Sequence, residues 1–202
     1  MPLVPEAKPI VIVISGPAGV GKTTLCNAML AAYSNVCRAV TATTRPPRPG
    51  EVEGEHYYFL SREDYDVGVR EGKFYEHAIV HGNGYGVFKC EIASKLALGY
   101  DILLNVDVQG AQTYRTMAKD DPILGPSLVT VMVVSEDLDT LRERMEGRGQ
   151  DSDAVITKRL ANAEGEMNEA DKFDYTIESS SKEADFAELQ AIYLKEKSKR
   201  KT

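Results

Sequence analysis

Apolar residues in this chain fall into short unbroken runs separated by longer amphipathic stretches. Residues 10–15 (IVIVIS) are β-branched or otherwise small and nearly all apolar, the pattern of a strand buried on both faces of a parallel sheet. Residues 100–106 (YDILLNV) and 127–134 (SLVTVMVV) share that character and predict two further central strands. Residues 174–177 predict a short last one. Between the runs the spacing turns helical. Leu25, Met29 and Leu30 mark a helix over residues 22–33, and further helical patterns cover about 108–118 and 137–145. Phe186, Leu189, Ile192 and Tyr193 share one face of a helix over about 182–196. Strand and helix alternate at both ends of the chain, which predicts an α/β fold with a mainly parallel sheet.

Two stretches interrupt the alternation. Residues 36–88 read as β-rich: RAVTATTR, EHYYFL and KFYEHAIV, then a turn at HGNGYG. Within them Ser61 is placed to cap a short helix. Residues 147–170 open with GRGQDSD and continue as a polar helix carrying Val155, Ile156, Leu160 and Met167. A charged helical excursion hinged on glycine has the make-up of a mobile lid.

At 202 residues the chain is sized for one domain. It has no run near 18 apolar residues, so no membrane span is expected, and its start, MPLVPEAKPI, lacks the apolar stretch of a secretory leader. Cys26, Cys37 and Cys90 are few and widely spaced, which reads as reduced, buried thiols in a cytoplasmic protein. His56, His77 and His81 lack the acidic companions of a metal site and read as non-ligands. The net charge of −7 argues against a nucleic-acid partner. The basic tail at residues 195–201 reads as solvated. Arginines nevertheless concentrate in two places, Arg45 with Arg48 and Arg142, Arg144 with Arg148, as befits a phosphorylated small molecule.

The strongest chemical signal is Gly16-Pro-Ala18-Gly19-Val20-Gly21-Lys22-Thr23, followed by Thr24. It satisfies G-x-x-x-x-G-K-[ST], with a predicted strand before it and a predicted helix after it. Glycines let the backbone turn its N–H groups inward as an anion nest, and the helix N-terminus adds a favourable dipole. Lys22 is expected to reach the β- and γ-phosphates of a nucleoside triphosphate, with the Thr23 hydroxyl on Mg²⁺. A second constellation, Thr41-Ala-Thr-Thr-Arg45-Pro-Pro-Arg48 through Tyr57, holds two guanidinium groups on a proline-stiffened loop. Such a loop is either a solvated turn or a bidentate phosphate grip.

GPAGVGKTT followed by TTRPPRPGEVEG and HYYF resembles the guanylate kinase family, and the likeness runs on through KFYEHA, NGYG, LLNVDVQGA and LRERMEGRGQDSDAVITKRLANAEGEM. These segments lie in order across residues 10–168. The resemblance implies a five-stranded, mainly parallel sheet of P-loop type flanked by helices, in one domain. Its core would comprise about 1–40, 86–140 and 172–202, with a β-rich GMP-binding insert at about 41–85 and a helical lid at about 141–171. It implies transfer of the γ-phosphoryl group of ATP to GMP with Mg²⁺ in purine nucleotide metabolism, by a monomer or homodimer that engages neither nucleic acid nor membrane. Arg45, Arg48, Tyr57 and Tyr85 would bind the GMP phosphate. Glu76 would accept from guanine N1–H and the 2-amino group, a donor pair that adenine lacks. Thr41 would touch the base, and Asp107 would contact GMP or the water shell of Mg²⁺. Arg144, Arg148 and Arg159 would close over the transferring group. Three positions depart from the family pattern: Val87 in place of a hydroxyl residue, Asn105 in place of the first acid of L-D-I-D, and Ser179-Ser180 in place of Asn-Asp. The competing readings are a related P-loop kinase with another phosphorylated acceptor and a non-enzymatic module that binds protein partners.

Overall fold

A computed structural model of the chain describes residues 7–201 apart from Glu136, Arg148, Gln150 and Asp151. In chain order the elements are β1 (Val11–Ser15), α1 (Lys22–Ala32), β2 (Val36–Arg38), β3 (Thr41–Thr43), β4 (Tyr57–Phe59) and α2 (Arg62–Arg70). Then come β5 (Phe74–Val80), β6 (Asn83–Phe88), α3 (Lys89–Ala97), β7 (Asp101–Asn105), α4 (Val108–Ala118) and α5 (Leu124–Ser127). The chain closes with β8 (Leu128–Val134), α6 (Leu138–Glu146), α7 (Asp153–Met167), β9 (Tyr175–Glu178) and α8 (Lys182–Lys199). Five strands form the main sheet in the order β2-β7-β1-β8-β9, every neighbouring pair parallel. The expected α/β architecture is therefore the observed one.

The sheet is buried on both faces because its strands are apolar at odd and even positions alike. Ile10, Ile12 and Ile14 pack with Leu25 and Met29 of α1, Leu141 and Met145 of α6, Ile156 and Leu160 of α7, and Leu189 and Tyr193 of α8. Val11, Val13, Ile102, Leu104 and Met132 pack on the other side with Ile92 of α3, Tyr114 of α4 and Leu124 of α5. A smaller sheet, β4-β3-β6-β5, carries its own apolar knot of Ala42, Tyr65 and Phe74. Ser61 caps α2 as expected, its Oγ accepting from Asp64 N at 3.0 Å.

The structure departs from the sequence reading in four places. The stretch at 36–88 is divided between the sheets: β2 pairs with β7 in the main sheet, and after two residues β3 enters the small one. Helix α3 was not predicted. It buries only Ile92 and Glu91, so its apolar period is too faint to read. Cys90 is exposed, although buried thiols were expected throughout.

The last departure concerns the basic tail. Helix α8 continues to Lys199, and Lys197 is only 4% exposed. Its ammonium donates to Asp101 Oδ1 at 2.9 Å and to the carbonyls of Ala7 and Lys8. Asp101 also accepts from Ile10 N, Tyr193 OH and Asn35 Nδ2. One buried carboxylate thus ties the start of β7 to the end of α8 and the entry to β1. Asp101→Asn leaves the Lys197 charge buried without its counter-ion. We expect it to lower unfolding free energy by about 3–5 kcal/mol, read by urea denaturation.

Candidate active site

The loop between β1 and α1 shows why glycine is required there. Gly16, Gly19 and Gly21 have φ of 142°, 83° and 110°, a region that side chains with a Cβ avoid. A Cβ on Gly16 would lie 2.2 Å from Val133 O, and one on Gly19 would lie 2.9 Å from Leu141 O of α6. The loop therefore nests directly against β8 and α6. Helix α1 begins at Lys22 with no side-chain cap and no acid in its first turn, so its N-terminal N–H groups and dipole face the loop. Lys22 Nζ folds over the loop and donates to Gly16 O and, at 2.9 Å, to Pro17 O. Thr23 Oγ1 accepts from Asn105 Nδ2 at 3.2 Å. Asn105 thus orients the hydroxyl that the motif assigns to Mg²⁺. Thr23, Asn105 and Asp107 line one cavity and each carries an oxygen atom, a set suited to Mg²⁺.

A cavity of about 600 Å³ opens between the two sheets, lined by Thr23, Glu76, Thr41, Tyr85, Asp107 and Arg38 among others. Glu76 leaves β5 toward the N-terminus of α4, where a Cβ on Gly110 would fall 2.5 Å from its Oε1. Only glycine at 110 leaves space for this carboxylate. Burial, reinforced by the Asp107 charge, pushes the Glu76 carboxyl up to about 7. Asp107 also caps α4, accepting from Gly110 N at 2.7 Å. Val87 is buried in the same wall and adds no polar atom to it.

The expected phosphate ligands lie beside this cavity. The Arg45 guanidinium stands 5.4 Å from the Tyr57 ring centre, and the Tyr57 and Tyr85 rings are 6.4 Å apart. Arg45 Nη2 donates to both oxygens of Glu51 at 2.8 and 3.0 Å, and Glu51 also accepts from Arg48 N. Glu51 closes the Arg/Pro loop on itself and presents Arg45 toward the tyrosines. The Arg48 side chain is exposed on the same loop.

Helices α6 and α7 contribute unequally. Arg144 Nη1 bonds Ser179 Oγ at 3.2 Å and approaches Val20 O at 3.4 Å. It lines a second cavity of about 390 Å³ beside Gly19, Gly21 and Thr24, on the α1 side of the loop. Ser179 Oγ in turn donates to Asp185, which also takes Ser180 N. Both serines are thus tied to α8, and Ser179 holds Arg144 against the loop. Arg159 is exposed on α7. Arg148 lies outside the described residues.

Sequence reading passed over Glu51, Gly110, Arg38 and Glu166. The Glu166 carboxyl, on α7, is raised by burial, with Lys22 opposing the rise and Asp107 adding to it, which places an acid near the loop lysine. Glu51 was within reach, six residues beyond Arg45 on a stiff loop. The other three depend on contacts between distant segments.

The family model described as guanylate kinase matches residues 7–196. The guanylate kinase of Idiomarina loihiensis is 40% identical over 93% of this chain and 87% of its own length. That of Haemophilus influenzae is 39% identical over 92% of this chain and 87% of its own. The crystal structure of guanylate kinase from Anaplasma phagocytophilum superposes with a TM-score of 0.67 at 28% identity, covering 95% of this chain and 88% of that one.

Proposed function

The chain belongs to the guanylate kinase family, and on that premise we propose that it moves the γ-phosphoryl group of ATP directly onto the phosphate of GMP, giving ADP and GDP. The observation that carries the assignment to this geometry is Glu76. A carboxylate lining the same cavity as the P-loop threonine suits a guanine held in line with a triphosphate. The carboxylate accepts from N1–H and the 2-amino group at once, whereas adenine, cytosine and uracil offer no such pair.

In this reading the loop amides and Lys22 hold the β- and γ-phosphates, while Arg45, Arg48, Tyr57 and Tyr85 hold the acceptor phosphate. Thr23 would ligate Mg²⁺, with Asp107 touching its water shell or GMP. Bound there, the ion would neutralise charge shared by the two terminal phosphates. Arg144, Arg148 and Arg159 would supply positive charge to a transition state whose negative charge is spread over the moving group. The GMP phosphate is already anionic at neutral pH, so the chain supplies position and charge and no general base. The insert at about 41–85 and the lid at about 141–171 would close to keep water from the γ-phosphate. We place the reaction in cytoplasmic purine nucleotide metabolism and GMP recycling, carried out by a monomer or homodimer without nucleic acid. Among the described residues no helix is long and apolar enough to cross a membrane.

The test is ADP release with ATP and Mg²⁺, offering GMP, AMP, CMP and UMP separately. Turnover with GMP alone is expected. Turnover with another acceptor transfers the protein to a sister kinase, and ATP binding without turnover leaves a binding module. Gly110→Ala probes the same pocket from behind. The added methyl meets the free end of Glu76 and the Val106 side chain, within a helix that otherwise favours alanine. We expect KM for GMP to rise roughly 10- to 100-fold through misplacement of the carboxylate, with Tm held within a few degrees.

A further inference from the structure

Tyr114 stands out among the groups that the proposed reaction leaves unused. It is 0% exposed, yet its hydroxyl has no hydrogen-bond partner among the described residues. A buried, unpaired hydroxyl is destabilising, so its retention here calls for an explanation. Tyr114 lies one helical turn beyond Gly110 on α4, on the same face. Aromatic side chains on a helix lean back toward its N-terminus, over the residue four positions earlier. That rule directs the Tyr114 ring toward Gly110, the residue against which Glu76 Oε1 rests, and the Glu76 charge acts on the Tyr114 hydroxyl. Tyr75, adjacent to Glu76 on β5, packs 6.0 Å from the Tyr114 ring and belongs to the same apolar cluster.

We propose that Tyr114 is a positioning residue for Glu76, its hydroxyl donating to the carboxylate in the form that binds guanine. The inference rests on the reading of Glu76 as the guanine-recognising group. A carboxylate offers about four acceptor sites, and guanine takes two, so a third donor from beneath fits without competing with the base. That donor aims the carboxylate and stabilises its ionised form inside an apolar wall. The remaining polar surroundings do not supply it. Asp107, at the start of α4, repels a second negative charge. Glu166 of α7, near Asp107, is a further acid and repels likewise. Tyr75 OH is committed to Asp121 at 2.8 Å, and Lys89 sits 5.7 Å from the Tyr75 ring centre. Arg38 occupies another wall of the cavity, donating to Asn27 Oδ1 at 2.6 Å.

The experiment is Tyr114→Phe in the full chain, with kcat and KM for GMP followed from pH 6 to 9 and the Glu76 carboxyl titrated by ¹³C NMR in nucleotide-free protein. We expect KM for GMP to rise about fivefold at pH 7, the worth of one such hydrogen bond, with kcat within twofold. The Glu76 titration and the KM profile should both move to higher pH. Tm at pH 6, where Glu76 is mostly protonated and does not draw on the hydroxyl, should stay level or rise, because the substitution there removes an unpaired buried hydroxyl. In a Glu76→Gln background, Tyr114→Phe should add little further loss. Wild-type KM with an unmoved Glu76 titration overturns the proposal, as do fully additive losses in the double variant. Full GMP selectivity in Glu76→Gln alone defeats instead the guanine reading, and the NMR titration then still reports whether Tyr114 and Glu76 communicate.

Discussion

Lys22→Met is expected to lower kcat by about 10²- to 10³-fold at saturating ATP and GMP, the loss that follows removal of one preorganised charge stabiliser from a transition state. The structure sets up this outcome. Lys22 Nζ is held over the phosphate loop by the carbonyls of Gly16 and Pro17, so its charge is in place before the nucleotide arrives and little reorganisation is needed. Methionine keeps the length and much of the packing of the stem but none of the charge. The loop itself is fixed by other means, namely the positive-φ glycines and the close approach to Val133 and Leu141. Binding of the triphosphate by backbone N–H groups should therefore survive in part. KM for ATP is expected to rise less than kcat falls, the sign of an interaction made chiefly in the transition state. ADP release under saturating conditions gives kcat, and thermal denaturation confirms the fold. A kcat within threefold of wild type would remove Lys22 from the chemistry and return the module reading to contention. Lys22→Arg should not restore activity, because a planar fork cannot occupy the place of a compact ammonium between two carbonyls.

What could be read from sequence divides along a physical line. The P-loop was legible because its requirements are local. Gly16, Gly19 and Gly21 are needed by backbone angles and by contacts that any strand–loop–helix of this kind must make, and Lys22 and Thr23 follow them directly. The parallel strands were legible because burial on both faces removes polar alternation, which leaves short β-branched runs such as VIVIS. The cavity was legible only in part. Arg45, Tyr57, Glu76 and Tyr85 came from motif resemblance; Glu76 and Tyr85 line the space between the sheets, and Arg45 and Tyr57 pack beside Tyr85. No period or spacing connects Glu76 to Gly110 and Tyr114, which belong to another element more than thirty residues later. Lys197 looked like one more charge in a solvated tail because its partner Asp101 lies at the start of a distant strand. Helix α3 has one fully buried apolar residue, so its pattern could not rise above that of a loop. Local conformational demands are written at the residues that meet them, whereas the pairing of buried polar groups is settled by topology.

Glu76 is such a pairing, and it yields the second large effect. Its carboxyl titrates at about 7 in the nucleotide-free protein, first because burial disfavours the charge and then because Asp107 repels it. Guanine N1–H and the 2-amino group are both donors, so only the ionised carboxylate satisfies both. GMP must then release a proton from Glu76 when it binds at or below neutrality. The apparent affinity scales with the ionised fraction. Above pH 8 that fraction is close to one and KM for GMP should be flat. Below the titration point KM should climb about tenfold for each pH unit, so that pH 6 is about tenfold worse than the plateau. The direction follows from the raised carboxyl: a carboxyl near its ordinary value would place the climb below pH 5, outside the working range. Glu76→Gln tests the same point from the other side. Its amide accepts with one atom and donates with the other, so one guanine donor meets a donor in a dry pocket. We expect kcat/KM for GMP to fall about 100-fold or more, and the climb between pH 8 and 6 that belongs to Glu76 to vanish. The second ionisation of the GMP phosphate also lies near pH 6 and acts on both proteins equally. The difference between the two pH profiles therefore isolates the carboxylate. Superimposable profiles would mean that Glu76 carries no proton into the reaction and that guanine is read elsewhere in the cavity.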